Sequence, residues 1–197
     1  PMGRLGMPAL HGLALLFHAV SAGLLVRLLT VMGARGAGVW LGGLLFAVHP
    51  IVSEVLGWAS ALPDAMAVTF ALMAVQSKRT RWFTVFLLMG LLCKETAVLI
   101  PLAFGLAGMG RKRWWLGLAI VVVGLSAWRI SIGVAAPSLS LEKLHLIPVA
   151  LGWSLGSLVW PFPLNAVRDL LAAPMMVVWA GLAVVLGAAV WAGRDRR

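Results

Sequence analysis

Residues 8–32 set the first limit on any fold open to this chain. The run PALHGLALLFHAVSAGLLVRLLTVM holds one formally charged side chain, Arg27, and as a helix it is about 37 Å long at 1.5 Å per residue. A bilayer's hydrocarbon core is about 30 Å thick, so the run reads as a membrane-crossing helix. Pro8 suits its first turn and Gly33 its end. Arg27 is positioned to extend its head to an interface, and His11 and His18 to bond neighbouring helices.

Further apolar runs cover 37–48, 63–77, 82–93, 96–110, 114–134, 147–160 and 174–192. The chain is 62% hydrophobic and 11% charged with mean hydropathy +1.01, and a soluble domain of 197 residues could not hide that much apolar surface. The expected fold is therefore all-α and polytopic, with about six to eight membrane-embedded helices, several short or broken, plus one interfacial amphipathic helix. No repeat or linker divides it, so residues 1–197 read as a single transmembrane domain.

The net charge of +10 would suggest nucleic acid in a soluble protein. Here the basic residues cluster in short connectors between apolar runs, which is the positive-inside signature, and a nucleic-acid partner is excluded. Cys93 is the one cysteine, so no internal disulfide can form. Twelve arginines to four lysines, with abundant Ala, Gly, Leu and Val, suggest a bacterial protein. No cleavable signal peptide is visible, and the start at Pro1 leads us to expect a fragment whose beginning is missing.

Arg35, the cluster Lys78, Arg79 and Arg81, and the cluster Arg111, Lys112 and Arg113 are expected on the cytoplasmic side. One helix from 82 to 110 would put the last two clusters on opposite sides. A hairpin with Lys94 and Glu95 at its outer tip keeps both inside. Twelve-residue helices such as 37–48 reach only about 18 Å, so their connecting loops should open into a recessed, water-filled cavity. Residues 114–134 then cross outward to an external loop, 135–146, with Glu142, Lys143 and His145. If 147–160 is re-entrant, WPFPLNAVRD (160–169) is external, and after 174–192 the tail of Arg194, Arg196 and Arg197 is cytoplasmic. Ten Trp and no Tyr make any interfacial aromatic belt a tryptophan belt. Gly38xxxGly42 and Gly152xxxGly156 can let helices approach closely, within the chain rather than between copies.

The stretch HPIVSEVLGWASALPD, 49–64, keeps polar groups between apolar runs. At 100° per residue His49, Ser53, Gly57 and Ser60 share a narrow stripe with Glu54 at its edge, and Ile51, Val52, Val55, Leu56, Trp58, Ala59 and Leu62 fill the opposite side. That pattern predicts a helix lying in the interface. His49, Glu54, Asp64, Lys94 and Glu95 should then face one outward cavity. Each has a plainer reading: His49 caps a helix, Glu54 is solvated, Asp64 interacts with a helix N-terminus after Pro63, and Lys94 and Glu95 pair to make burial tolerable. Walker A, GxSxG, CxxC and HExxH motifs are absent. His49 and Glu54 are five apart, an awkward spacing for shared metal ligation, so neither a metal nor another cofactor is expected.

LLFAVHPIVSEVLGWASALPDAMA (44–67) resembles the segment FAxHPxxxEaVaWxsgRxD of integral-membrane glycosyltransferases of the C superfamily, particularly the transmembrane and tetratricopeptide-repeat O-mannosyltransferases and their bacterial relatives. LHGLALLFHAVSAGLL around His11 and His18, LLCKETAVLIPL around Lys94 and Glu95, and WPFPLN (160–165) match in the same order. The resemblance implies transfer of a sugar from a polyprenyl-phosphate donor to a protein or glycan acceptor on the periplasmic or lumenal side, here at a bacterial inner membrane. It also implies a principal catalytic acid in a loop preceding residue 8. The family's arginine before aspartate is absent from Ala61-Leu62-Pro63-Asp64. Sugar transfer to a hydroxyl needs a carboxylate to take the proton and cations to stabilise the departing phosphate. Glu54 and Asp64 are the candidate supporting acids, and His49, Lys94, Glu95 and Arg168 the candidate substrate contacts. Two other functions fit the composition: a transporter or flippase of a lipid-linked or anionic substrate, suggested by broken helices and intramembrane charges, and a non-catalytic membrane scaffold.

Overall fold

The computed structural model describes residues 3–110 and 112–133, together with 156 and 183, with the side chains of 3–5, 53–55, 59 and 113 outside the description. By contacts the chain divides into two compact units, Pro1–Ala135 and Ala136–Arg197, and the account below concerns the first. The expected re-entrant segment 147–160, the loop 135–146, the helix 174–192, Gly152xxxGly156 and Arg168 lie outside the described residues.

Among the described residues the structure is entirely helical and contains no strand. Helices α1 (Gly3–Val31), α2 (Ala37–Val48), α3 (Val52–Gly57), α4 (Leu62–Val75), α5 (Thr80–Cys93), α6 (Leu99–Leu106) and α7 (Lys112–Ser131) follow one another, with 3₁₀ turns at Ala59–Ala61 and Glu95–Val98. Two stretches, Gly6–Val31 of α1 and Trp114–Ser131 of α7, are long and apolar enough to cross a membrane.

The helix ends follow local chemistry. At the end of α1, Gly33 takes φ +96, Gly33 N–H bonds Thr30 O at 3.0 Å and Ala34 N–H bonds Leu29 O at 3.0 Å, a Schellman closure that needs a residue tolerant of left-handed backbone. Gly108, at φ +74, closes α6 the same way, with Met109 N–H on Phe104 O. α2 stops at His49, which is extended because the residue before a proline is disfavoured in the helical region. Pro63 is tolerated near the start of α4, where its missing N–H would have had no intrahelical acceptor.

The interfacial helix expected over 49–64 is not continuous. α3 is six residues long, Trp58 is extended at φ −112 and ψ 118, and a 3₁₀ turn leads into α4. Apolar periodicity runs unbroken through this segment, but Gly57 is a poor helix interior residue and Pro63 favours a fresh helix start.

α4 is the centre. It packs on α1 and α5, α2 covers α1, and α7 lies against α5. Its buried positions are mostly small, Ala65, Ala67, Thr69, Ala71 and Ala74, so neighbouring backbones come close. At the α1 crossing, the buried Ser21 hydroxyl donates to Thr69 Oγ1 at 2.7 Å, and the Thr69 hydroxyl is shared between Phe17 O (3.0 Å) and Ala65 O (2.9 Å). Gln76 Nε2 donates to Leu24 O and Leu72 O at the other end of the same crossing. Gly42 and Gly43 face Leu29 and Val26 of α1, so the close approach expected at Gly38xxxGly42 is internal, although Gly38 itself meets nothing within 4 Å. Beneath α5, Phe83 stacks on Trp114 with ring centroids 4.9 Å apart and planes 8° from parallel. Large apolar side chains are turned outward instead, among them Leu16, Trp40, Leu45, Leu116 and Val123.

Candidate functional site

Antiparallel packing decides which side chains meet. α4 and α5 are joined by the short turn at 76–79, so the start of α4 and the end of α5 lie together, and the chain reverses again at Lys94. α7 climbs back beside α5: a Cβ on Gly117 would come 2.6 Å from Thr84 Oγ1 and 3.2 Å from Phe83. The break at 94–95 is thus the tip of a hairpin, as the distribution of basic clusters predicts. Arg35, Lys78, Arg79, Arg81 and Lys112 sit on segments at one end of the bundle. Glu54, Asp64 and Glu95, the carboxylate residues of 3–133, sit on segments at the other.

Lys94 occupies the extended joint after α5, at φ −159 and ψ 137. Its Nζ donates to Asp64 Oδ1 on the first turn of α4, thirty residues away in sequence. The side chains are 39% and 32% exposed, so the pair is neither fully solvated nor buried. Lys94 therefore pairs with Asp64 rather than with the adjacent Glu95, which is exposed at the start of the 3₁₀ turn. Asp64 also gains from its place in the first turn of α4, near the positive end of the helix dipole.

A cavity of about 540 Å³ opens beside this pair, between the α5 tip and the last turns of α7. Its polar wall is Lys94, Glu95, Ser126 and Arg129, and Leu92, Trp128 and Ile132 contribute apolar surface. That volume lies within the range of small-molecule sites, and the mixture of a few polar groups on an apolar lining is what such sites use. Asp64 does not line the cavity and acts on it through Lys94.

Arg129 and Ser126 are absent from the expected site. The signal was present in the sequence: Arg129 falls in the last turn of the helix expected to cross outward, where the charge asymmetry of the rest of the chain disfavours a cation. A cation placed against that bias is a site candidate.

His49 is engaged elsewhere. Its Nδ1 accepts the Ile51 N–H at 3.3 Å, bridging the turn between α2 and α3, and it does not line the cavity. The backbone of Glu54 lies in α3, while its side chain is outside the described residues, as is Arg168. The two histidines of α1 bond neighbouring helices as expected. His18 Nε2 donates to Ala47 O at 3.1 Å and stacks on Phe46, and His11 Nδ1 donates to Leu56 O at 3.0 Å. Both acceptors belong to the last turns of α2 and α3, whose carbonyls have no intrahelical partner. Two histidines two turns apart on α1 thus close the ends of two helices that stop short. Among the described residues no three His, Cys, Asp or Glu side chains gather as a metal site.

No family model, curated protein or solved structure matches this chain.

Proposed function

We propose that this is a polytopic membrane protein whose end bearing Asp64, Lys94, Glu95 and Arg129 takes a sugar from a polyprenyl-phosphate donor and passes it to an acceptor on the outer, periplasmic face. The observation that carries the reading is the cavity beside the hairpin tip, which sets Lys94 and Arg129 against an apolar wall. A lipid-linked phosphate needs that combination: cations for the phosphate oxygens and apolar surface for the first isoprene units. Membrane residence is supported by the many large apolar side chains turned outward on the described unit, Leu16, Trp40, Leu45, Leu116 and Val123 among them, an arrangement prone to aggregation in water.

In this reading the acceptor hydroxyl attacks the anomeric carbon, the bond from that carbon to the phosphate oxygen breaks, and polyprenyl phosphate leaves with the electron pair. Lys94 and Arg129 stabilise the charge on the leaving phosphate. Asp64 positions Lys94. Glu95 is the carboxylate on the cavity wall placed to accept the acceptor's proton, with Glu54 the other candidate. The test is binding and transfer of a radiolabelled polyprenyl-phosphate sugar by the full chain in proteoliposomes. Arg129→Gln and Lys94→Gln should each weaken donor binding by about tenfold or more, the usual consequence of losing a charge-assisted contact. Unchanged binding in both variants refutes the site.

The broken joint between α5 and α6, with charged residues at the break, also suits a transporter or flippase of the same lipid. Donor moved between leaflets without any sugar transfer would decide for it.

A further inference from the structure

We infer that the opposite end of the bundle carries a site for an anionic glycerophospholipid, its phosphate held by Lys78 and Arg79 and an acyl chain lying along Trp82 and Phe86. A separate open groove of about 420 Å³ lies there, lined by Ser77, Lys78, Arg79, Trp82 and Phe86. Two cations follow one another in the turn between α4 and α5, and the wall beneath them is aromatic. Trp82 stacks on Phe86 with centroids 5.9 Å apart, and the Arg81 guanidinium lies 5.7 Å from the Trp82 ring centre, which holds a third cation at the rim. Ser77 Oγ donates to Met73 O at 2.8 Å, so its proton is engaged there and the phosphate depends on the two cations.

The occupant follows from what surrounds the cleft. The described segments forming this end carry Arg35, Lys78, Arg79, Arg81 and Lys112 and none of Glu54, Asp64 and Glu95, an excess of cations that suits an anion. From the cleft the stripe continues along α5 through Val85 and Met89, 43% and 40% exposed, at helical spacing from Trp82. A free phosphate would use the cations and leave this stripe unused, whereas a glycerophospholipid uses both. Basic residues at the cytoplasmic end of a membrane helix attract anionic headgroups, with each Lys or Arg adding to the attraction. The inference rests on the membrane reading but not on sugar transfer, and it concerns the end remote from Lys94.

The full chain, exchanged from vesicles of phosphatidylcholine with phosphatidylglycerol, is examined by native mass spectrometry. One phosphatidylglycerol per chain should be retained in preference to phosphatidylcholine. Lys78→Gln with Arg79→Gln should weaken retention by about thirtyfold, the effect of removing two interfacial cations. Trp82→Ala should weaken it as well, while Arg35→Gln, a cation lost at the same end but outside the cleft, should leave it unchanged. Millimolar glycerol phosphate should fail to displace the lipid. Equal retention of the two lipids, an equal loss in Arg35→Gln, or displacement by glycerol phosphate overturns the proposal. If circular dichroism shows the double variant unfolded, the single variants are read instead, and wild-type retention in both overturns it. Extraction of the chain from membranes by alkaline carbonate would refute the membrane reading itself, a failure distinct from loss of lipid selectivity.

Discussion

The Lys94–Asp64 pair gives the sharpest test, because structure and function predict different outcomes for the same substitutions. Two unit charges about 4 Å apart attract by about 4 kcal/mol at an effective dielectric near 20. Most of that is cancelled by desolvation, and side chains 39% and 32% exposed keep part of their water. The net coupling should be about 1 kcal/mol, above a typical surface pair and well below a buried one. Lys94→Met alone strands Asp64, and Asp64→Asn alone strands Lys94, each at a cost of about 1–2 kcal/mol. The double variant should be more stable than the sum of the singles by the coupling energy. Equilibrium unfolding in mixed detergent micelles, run as a double-mutant cycle, measures it. Donor binding should behave otherwise. Asp64→Asn keeps the Lys94 cation and should retain part of it, whereas Lys94→Met and the double variant should both lose it. A coupling indistinguishable from zero refutes the pair, and restored donor binding in the double variant refutes a direct role for Lys94.

Three further substitutions probe the frame that holds this end in place. Thr69→Val removes a hydroxyl that accepts from Ser21 and is shared with Phe17 O and Ala65 O, leaving the buried Ser21 hydroxyl without its partner; a loss of about 1–2 kcal/mol is expected in the same unfolding assay. Gly43→Ala would drive a methyl into the Val26 side chain on α1, costing about 1–3 kcal/mol, and Val26→Ala in the same chain should recover part of it. Trp114 Nε1 is buried without a hydrogen-bond partner among the described residues, so Trp114→Phe should change stability by less than about 1 kcal/mol, while Trp114→Ala should cost about 3–5 kcal/mol through the lost stack on Phe83.

The frame was legible wherever a residue's backbone chemistry dictates an ending. Gly33 closing α1, His49-Pro50 ending α2, Pro63 opening α4 and the reversal at Lys94 all follow from glycine, proline or charge placement, and the helices lie within a few residues of the apolar runs. The 49–64 segment misled because side-chain periodicity is silent on backbone angles: His49, Ser53, Gly57 and Ser60 fall on one stripe only if the helix continues, and it ends at Gly57. Partners in the site were harder to read. Glu95 is next to Lys94 in sequence, yet the lysine reaches Asp64, because the joint at Lys94 is extended and points consecutive side chains apart. Arg129 lies inside the apolar run 114–134, and only the packing of α7 against α5 brings it to the cavity.

The segregation of charge ties the two ends together. In a membrane, a helical bundle with carboxylates on one end and mostly unmixed cations on the other would be oriented by its own sequence, since a cation-rich end is retained on the cytoplasmic side. Arg4 in the first turn of α1, Lys94 and Arg129 lie at the carboxylate end against that bias, and Lys94 and Arg129 are treated differently. Lys94 is offset by Asp64, whereas Arg129 makes no ion pair among the described residues and lines the cavity with Glu95. An offset lysine is held in place, and an arginine facing open volume keeps its planar donors for a ligand. Under the proposed function the division of labour follows from the ion pair: Asp64 fixes Lys94 at the tip, and Arg129 is the cation with the most to gain from an incoming phosphate.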